Sequence, residues 1–95
     1  MAPHNPYGPV ALAAAAHAAA AMPGFLVLEH CRLRPWFERV QRDPLPVRDG
    51  CIQVADLDGR PGLGVELDWE VVAAHPHQPL ASRSKRDADG ARPLY

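Results

Sequence analysis

The stretch from Val10 to Met22 limits what this chain can fold into more than any other. Between Ala11 and Ala21 it is alanine throughout, interrupted only by Leu12 and His17. Alanine is the least costly residue in a helix. Pro9 suits the first helical position, where its missing N–H would have had no partner, and Pro23-Gly24 is a stop signal. The pattern predicts a helix over Val10–Met22. That helix is apolar almost all round, so it should be covered on more than one side. Such a helix belongs wedged between a sheet and neighbouring helices or subunits.

The same run is too short for a membrane span, which needs about 20 apolar residues. No Lys or Arg precedes it, as a secretory signal would require. The formal net charge is -1, which gives no strong field towards nucleic acid or an anionic membrane. No basic patch with interleaved aromatics supports nucleic-acid binding. Cys31 and Cys51 form no CxxC pair and no zinc spacing. Two reduced thiols fit a cytoplasmic protein. With 95 residues, the chain offers one modest core and marginal stability alone.

After the stop signal, Phe25–Leu28 is a continuous apolar run, read as a buried parallel strand covered on both faces. Helix, turn and buried strand make the second half of a βαβ unit, with Met1–Gly8 as its entry loop. Pro35–Gln41 reads as a short helix anchored by Trp36 and Phe37. Leu45–Arg48 and Cys51–Ala55 read as strands around Asp49-Gly50, a hairpin signal. A Gly- and Pro-rich loop, Asp58–Gly64, leads to a second short helix with Asp68 as its N-cap. From His75 the composition predicts a disordered tail. Its run Arg83-Ser84-Lys85-Arg86 reads as solvated charge.

Two positions could carry chemistry. His4 lies in the loop that should follow one strand, and Glu29 ends the next. In a β/α barrel the C-terminal ends of strands carry the catalytic residues, and neighbouring strands can aim two side chains into one pocket. A His and a carboxylate there can donate and accept protons. The plainer readings stay open: a solvent-exposed loop His, and a Glu that caps or ion-pairs. His30 is a substrate contact or a residue that orients the loop. His17 should make a structural hydrogen bond. His75 and His77 form at best a weak metal signal.

These residues carry a family resemblance. His4-Asn5-Pro6-Tyr7-Gly8-Pro9, followed by the alanine helix, resembles the seventh-strand exit of galactonate dehydratase-like members of the enolase superfamily. Phe25-Leu26-Val27-Leu28-Glu29 resembles the eighth strand, which ends in a glutamate, and the interval of 25 residues from His4 to Glu29 agrees with the dehydratase pattern. Pro61-Gly62-Leu63-Gly64-Val65-Glu66-Leu67-Asp68 resembles the signature where the chain returns to the capping domain.

The resemblance implies an α/β fold, the C-terminal fragment of a (β/α)8 TIM barrel of the mandelate racemase/muconate lactonizing type. Residues 1–43 would end the barrel, 44–74 would return to the capping domain, and 75–95 would form the tail. It implies His4 as general acid/base and Glu29 as the group that hydrogen-bonds the substrate carboxylate or its enolate. The implied chemistry is proton abstraction alpha to the carboxylate of a sugar acid or other alpha-hydroxy acid, followed by loss of water. A racemase or cycloisomerase of the same superfamily, and an inert or partner-binding orphan fragment, are the alternatives. Mg2+ is expected in the complete enzyme, with its three carboxylate ligands on earlier strands. A full-length protein would form a homo-oligomer. Met1 immediately before the histidine loop leads to the expectation of a truncated reading frame, inactive by itself and prone to aggregation.

Overall fold

The computed structural model describes residues 1–32 and 34–79. The expected tail from residue 80 onward, with its charge run, lies outside the described residues. The elements in chain order are helix α1 (Pro9–Ala20), strands β1 (Val47–Arg48) and β2 (Cys51–Ile52), a 3₁₀ turn at Val54–Asp56, and helix α2 (Trp69–Ala74).

Helix α1 begins at Pro9 as the sequence requires. It ends two residues before the expected Met22. Ala21 N–H and Met22 N–H donate to Ala18 and Ala19 carbonyls at 3.2 and 3.1 Å, which tightens the last turn ahead of Gly24. One stripe of α1 is buried, made by Leu12, Ala13, Ala16 and Ala19. Val10, Ala14, Ala18 and Ala20 stay exposed. The helix is therefore covered on one side, not several, because a single layer of loop and hairpin is packed against it. Ala13 and Ala16 meet Leu45 and Leu57 in the core, with Leu28 and Val65 at its margin. The small alanine side chains let this layer approach closely. His17 Nε2 lies 3.4 Å from the Leu63 carbonyl oxygen and ties α1 to the glycine loop.

Phe25–Leu28 departs furthest from expectation. It forms no regular strand, and Phe25, Leu26 and Val27 are exposed, Leu26 to 78%. Its backbone nevertheless lies beside the first residues of the chain. Leu26 N–H donates to the Met1 carbonyl at 2.9 Å and Glu29 N–H to the Pro3 carbonyl at 3.4 Å. The two segments run in the same direction, joined through α1. Met1–Asn5, read as a loop, thus occupies the position of the preceding strand's end. The bonds between the two segments do not build a ladder, and Phe25, Leu26 and Val27 stay exposed while Leu28 packs at the margin of the core.

The Pro35–Gln41 helix is replaced by a succession of turns. Phe37, Arg39 and Gln41 N–H groups donate to Arg34, Trp36 and Glu38 carbonyls, three residues back, at 3.1, 3.0 and 3.3 Å. Val40 N–H and carbonyl are drawn in different directions. The N–H donates to Trp36 at 3.3 Å, while the carbonyl accepts from Asp68 N–H at 2.9 Å. Gln41 pairs with Leu67 in an isolated antiparallel bridge. Pairing with the returning chain competes with helix continuation.

The hairpin forms as read, but shorter. Val47 pairs with Ile52 and Arg48 with Cys51. Asp49 and Gly50 take φ of 52° and 73°, the two left-handed residues of a type I′ turn. The expected continuation to Ala55 becomes the 3₁₀ turn, which packs on α1. Asp68 caps α2 by accepting from Glu70 and Val71 N–H at 3.0 and 3.2 Å. His75, placed in the tail by composition, stacks on Trp36 at 4.4 Å between ring centroids. It also bonds the Val71 carbonyl through Nδ1 at 2.8 Å. Its ring covers apolar surface of Trp36, a contact that no local pattern signals.

Candidate functional site

The parallel course of Met1–Asn5 and Gly24–Glu29 decides where His4 and Glu29 meet. Both lie at the C-terminal ends of their segments, just before the chain turns away at residues 6–8 and 30–32. His4 Nδ1 stands 2.6 Å from Glu29 Oε2, with side-chain exposures of 76% and 36%. The contact is close enough for a charge-assisted hydrogen bond. The other ring nitrogen, Nε2, is left available on an exposed ring.

Glu29 has further partners. Asn5 N–H donates to the same Oε2 at 2.8 Å. The Asn5 side-chain Nδ2 donates to the Glu29 backbone carbonyl at 3.3 Å. Cys31 Sγ–H donates to Oε1 at 3.3 Å. Asn5 is the buried polar residue of this cluster, 3% exposed. The Asn5 N–H, then the Cys31 thiol, hold the Glu29 carboxyl below the usual carboxylate range. Partial desolvation opposes them, and His4 adds a smaller pull in the same direction. The Cys31 thiol is pushed up, first by its hydrogen bond to the Glu29 carboxylate. It is therefore a neutral donor here, not a thiolate nucleophile.

A cleft of about 420 Å³ opens beside this cluster, lined by Tyr7, His30, Cys31, Arg34, Phe37 and Glu38 among others. Cys31 belongs to both the cleft and the Glu29 cluster. His30 faces the cleft and makes no bond to His4 or Glu29. His17 and His75 serve α1 and α2 as described, and both cysteines are free thiols. Among the described residues no three His, Cys, Asp or Glu side chains gather as a metal site. Nor is any described helix long and apolar enough to cross a membrane.

The sequence reading missed Asn5 and Cys31. Signals for both were present. Asn5 directly follows His4, and Cys31 stands two residues after Glu29, which in extended chain puts both side chains on one side. Asn5 is not an acid or base, and Cys31 was read only as a reduced thiol without metal spacing, so neither was assigned to the site.

Two known proteins match most of this chain. A D-galactonate dehydratase family member of Streptomyces bingchenggensis is 36% identical over 93 residues, covering 96% of this chain and 22% of its own length. A D-xylonate dehydratase of Haloferax volcanii is 36% identical over 77 residues, covering 79% of this chain and 18% of its own. The chain thus spans about a fifth of the curated relatives it matches. No solved structure matches. The profile described as "Enolase C-terminal domain-like" matches residues 1–71, from the first segment through α1, the His4–Glu29 pair and the glycine loop into α2, and on that match the chain belongs to the enolase C-terminal domain-like family.

Proposed function

We propose that this chain supplies the His4–Glu29 portion of the active site of a sugar-acid dehydratase. The single observation that carries the reading is the 2.6 Å contact between His4 Nδ1 and Glu29 Oε2 at the ends of two adjacent, parallel segments. The names of the two relatives, dehydratases of galactonate and xylonate, favour loss of water over racemisation or cycloisomerisation.

The geometry suggests a division of labour. A carboxylate on Nδ1–H fixes the imidazole tautomer and leaves Nε2 as the exchanging nitrogen. Once protonated, Nε2 can hand its proton to a substrate hydroxyl. That hydroxyl departs with the C–O electron pair as water, and the ring returns to neutral. Glu29 has both oxygens accepting hydrogen bonds in this arrangement. To hydrogen-bond a substrate carboxylate it must first become a donor. An incoming carboxylate is a like charge, which raises the Glu29 pKa and promotes protonation. His30 and Arg34 line the neighbouring cleft, and in this reading they would meet polar parts of a polyhydroxy acid.

The alpha proton of a carboxylate is so weakly acidic that a nearby positive charge must stabilise the developing dianion. Mg2+ supplies that charge in the reading inherited from the superfamily. The described residues do not fit the ion, since it requires about six oxygen ligands and Glu29 is already engaged by three donors. Its ligands and the base that abstracts the alpha proton would come from polypeptide other than the residues described.

The test uses a complete enzyme carrying these residues. His4→Ala should abolish formation of the 2-keto-3-deoxy acid from galactonate or xylonate and leave Mg2+ affinity nearly unchanged. Loss of metal binding, or undiminished turnover, would remove His4 from the proposed role. Turnover by the 95-residue chain alone would overturn the assignment of metal and base to other polypeptide.

A further inference from the structure

Glu29 lies outside any helix or strand, and its side chain has three rotatable torsions. Left to itself such a carboxylate would swing through solvent. Asn5 restrains it at both ends. The backbone N–H meets Oε2 at 2.8 Å and the side-chain amide meets the Glu29 carbonyl at 3.3 Å, across a separation of 24 residues. On the far side of the carboxylate, Cys31 Sγ–H holds Oε1 at 3.3 Å.

We propose that Asn5 is a positioning residue for this site, assisted by Cys31: together they fix the Glu29 carboxylate so that it presents Oε2 to His4. The proposal rests on the reading of His4 and Glu29 as an active-site pair, and it assigns roles to two residues that act through Glu29.

The residue types fit the task. The peptide N–H of Asn5 belongs to the unit that immediately follows His4, so the bond that orients the carboxylate also sets its distance from the imidazole. A side chain that is 3% exposed must have a partner, and the Glu29 carbonyl provides one. Aspartate would fill the same space, but its ionised carboxylate donates nothing to that carbonyl and repels Glu29. At position 31 a serine hydroxyl can replace the thiol as donor, whereas alanine cannot.

The experiment is a pH titration of the 95-residue chain labelled with ¹³C at the glutamate carboxyl carbons, the Glu29 signal being assigned by its loss in Glu29→Gln. Glu29 should titrate below the ordinary carboxylate range. Cys31→Ala should raise its midpoint, Cys31→Ser should restore it, and Asn5→Asp should raise it as well. Unchanged backbone shifts in α1 report that the fold is retained. Should Asn5→Asp fail to fold, the pair of Cys31 variants decides the question. A Glu29 midpoint in the ordinary range in the unsubstituted chain overturns the proposal, as does a Cys31→Ala midpoint that does not move. No turnover is needed for this readout. The positioning can therefore hold while the His4→Ala experiment fails, and the reverse.

Discussion

Gly64 offers a sharp test of how the return loop is built. Gly62 and Gly64 both have left-handed backbones, with φ of 60° and 73°. Placing alanine in that region costs about 1–2 kcal/mol, reduced by about 0.4–1 kcal/mol because alanine also restricts the unfolded chain. A Cβ at Gly62 would meet nothing within 4 Å, whereas one at Gly64 would meet Arg60 Cδ at 3.0 Å and Cβ at 3.2 Å. Arg60 cannot move aside without loss. Its Nη2 pairs with Asp43 Oδ2 at 2.8 Å, and its Nη1 donates to the Asp43 carbonyl at 3.0 Å. Displacing these contacts should add about 1–2 kcal/mol. Gly64→Ala should therefore destabilise the chain by about 1–2 kcal/mol more than Gly62→Ala, read as urea midpoints by circular dichroism. In an Arg60→Ala background most of the excess should go, since the ion-paired part of the side chain is removed and only the Cβ contact at 3.2 Å remains. Equal costs at the two glycines in the parent chain would refute the reasoning.

Two further outcomes follow from single contacts. Asp68→Ala should cost about 1 kcal/mol by removing the acceptor for Glu70 and Val71 N–H, and Asp68→Asn should recover most of it in the same denaturation assay. The depressed Glu29 pKa predicts a pH dependence of stability. A carboxyl whose folded pKa lies below its unfolded value contributes stability that is present above the unfolded pKa and is lost as pH falls through the folded one. Denaturation midpoints should therefore hold steady near neutrality and fall in the acid range. Glu29→Gln should flatten part of that decline, and an identical acid slope in the two proteins would show that Glu29 does not contribute.

The elements that were legible in the sequence are those fixed by local chemistry. Pro9 and the alanine run specify the start of α1, Asp49-Gly50 specifies a turn with two left-handed residues, and Asp68 specifies the cap of α2. Burial was less legible. Phe25–Leu28 has the composition of a doubly covered strand, yet its cover must come from partners that a local pattern cannot supply. The Pro35–Gln41 helix yielded to pairing of Val40 and Gln41 with Leu67 and Asp68, a non-local choice. At the site, His4 and Glu29 could be named because their residue types signal acid–base chemistry. Asn5 acts largely through its backbone N–H, which every residue but proline carries, so only its place in the folded chain distinguishes it.

The crossover between the two partnered segments has a consequence for the order of folding. A helix of 12 residues is roughly 18 Å long and relaxes within about a microsecond. With α1 in place, most of the connection is already a rigid spacer, so less chain must be ordered when Met1–Asn5 reaches Gly24–Glu29. Imidazole and carboxylate are thus brought together by a strut that neither touches. Helix-weakening substitutions at solvent-facing alanines such as Ala14 and Ala18 should slow their encounter while leaving every contact at the pair intact.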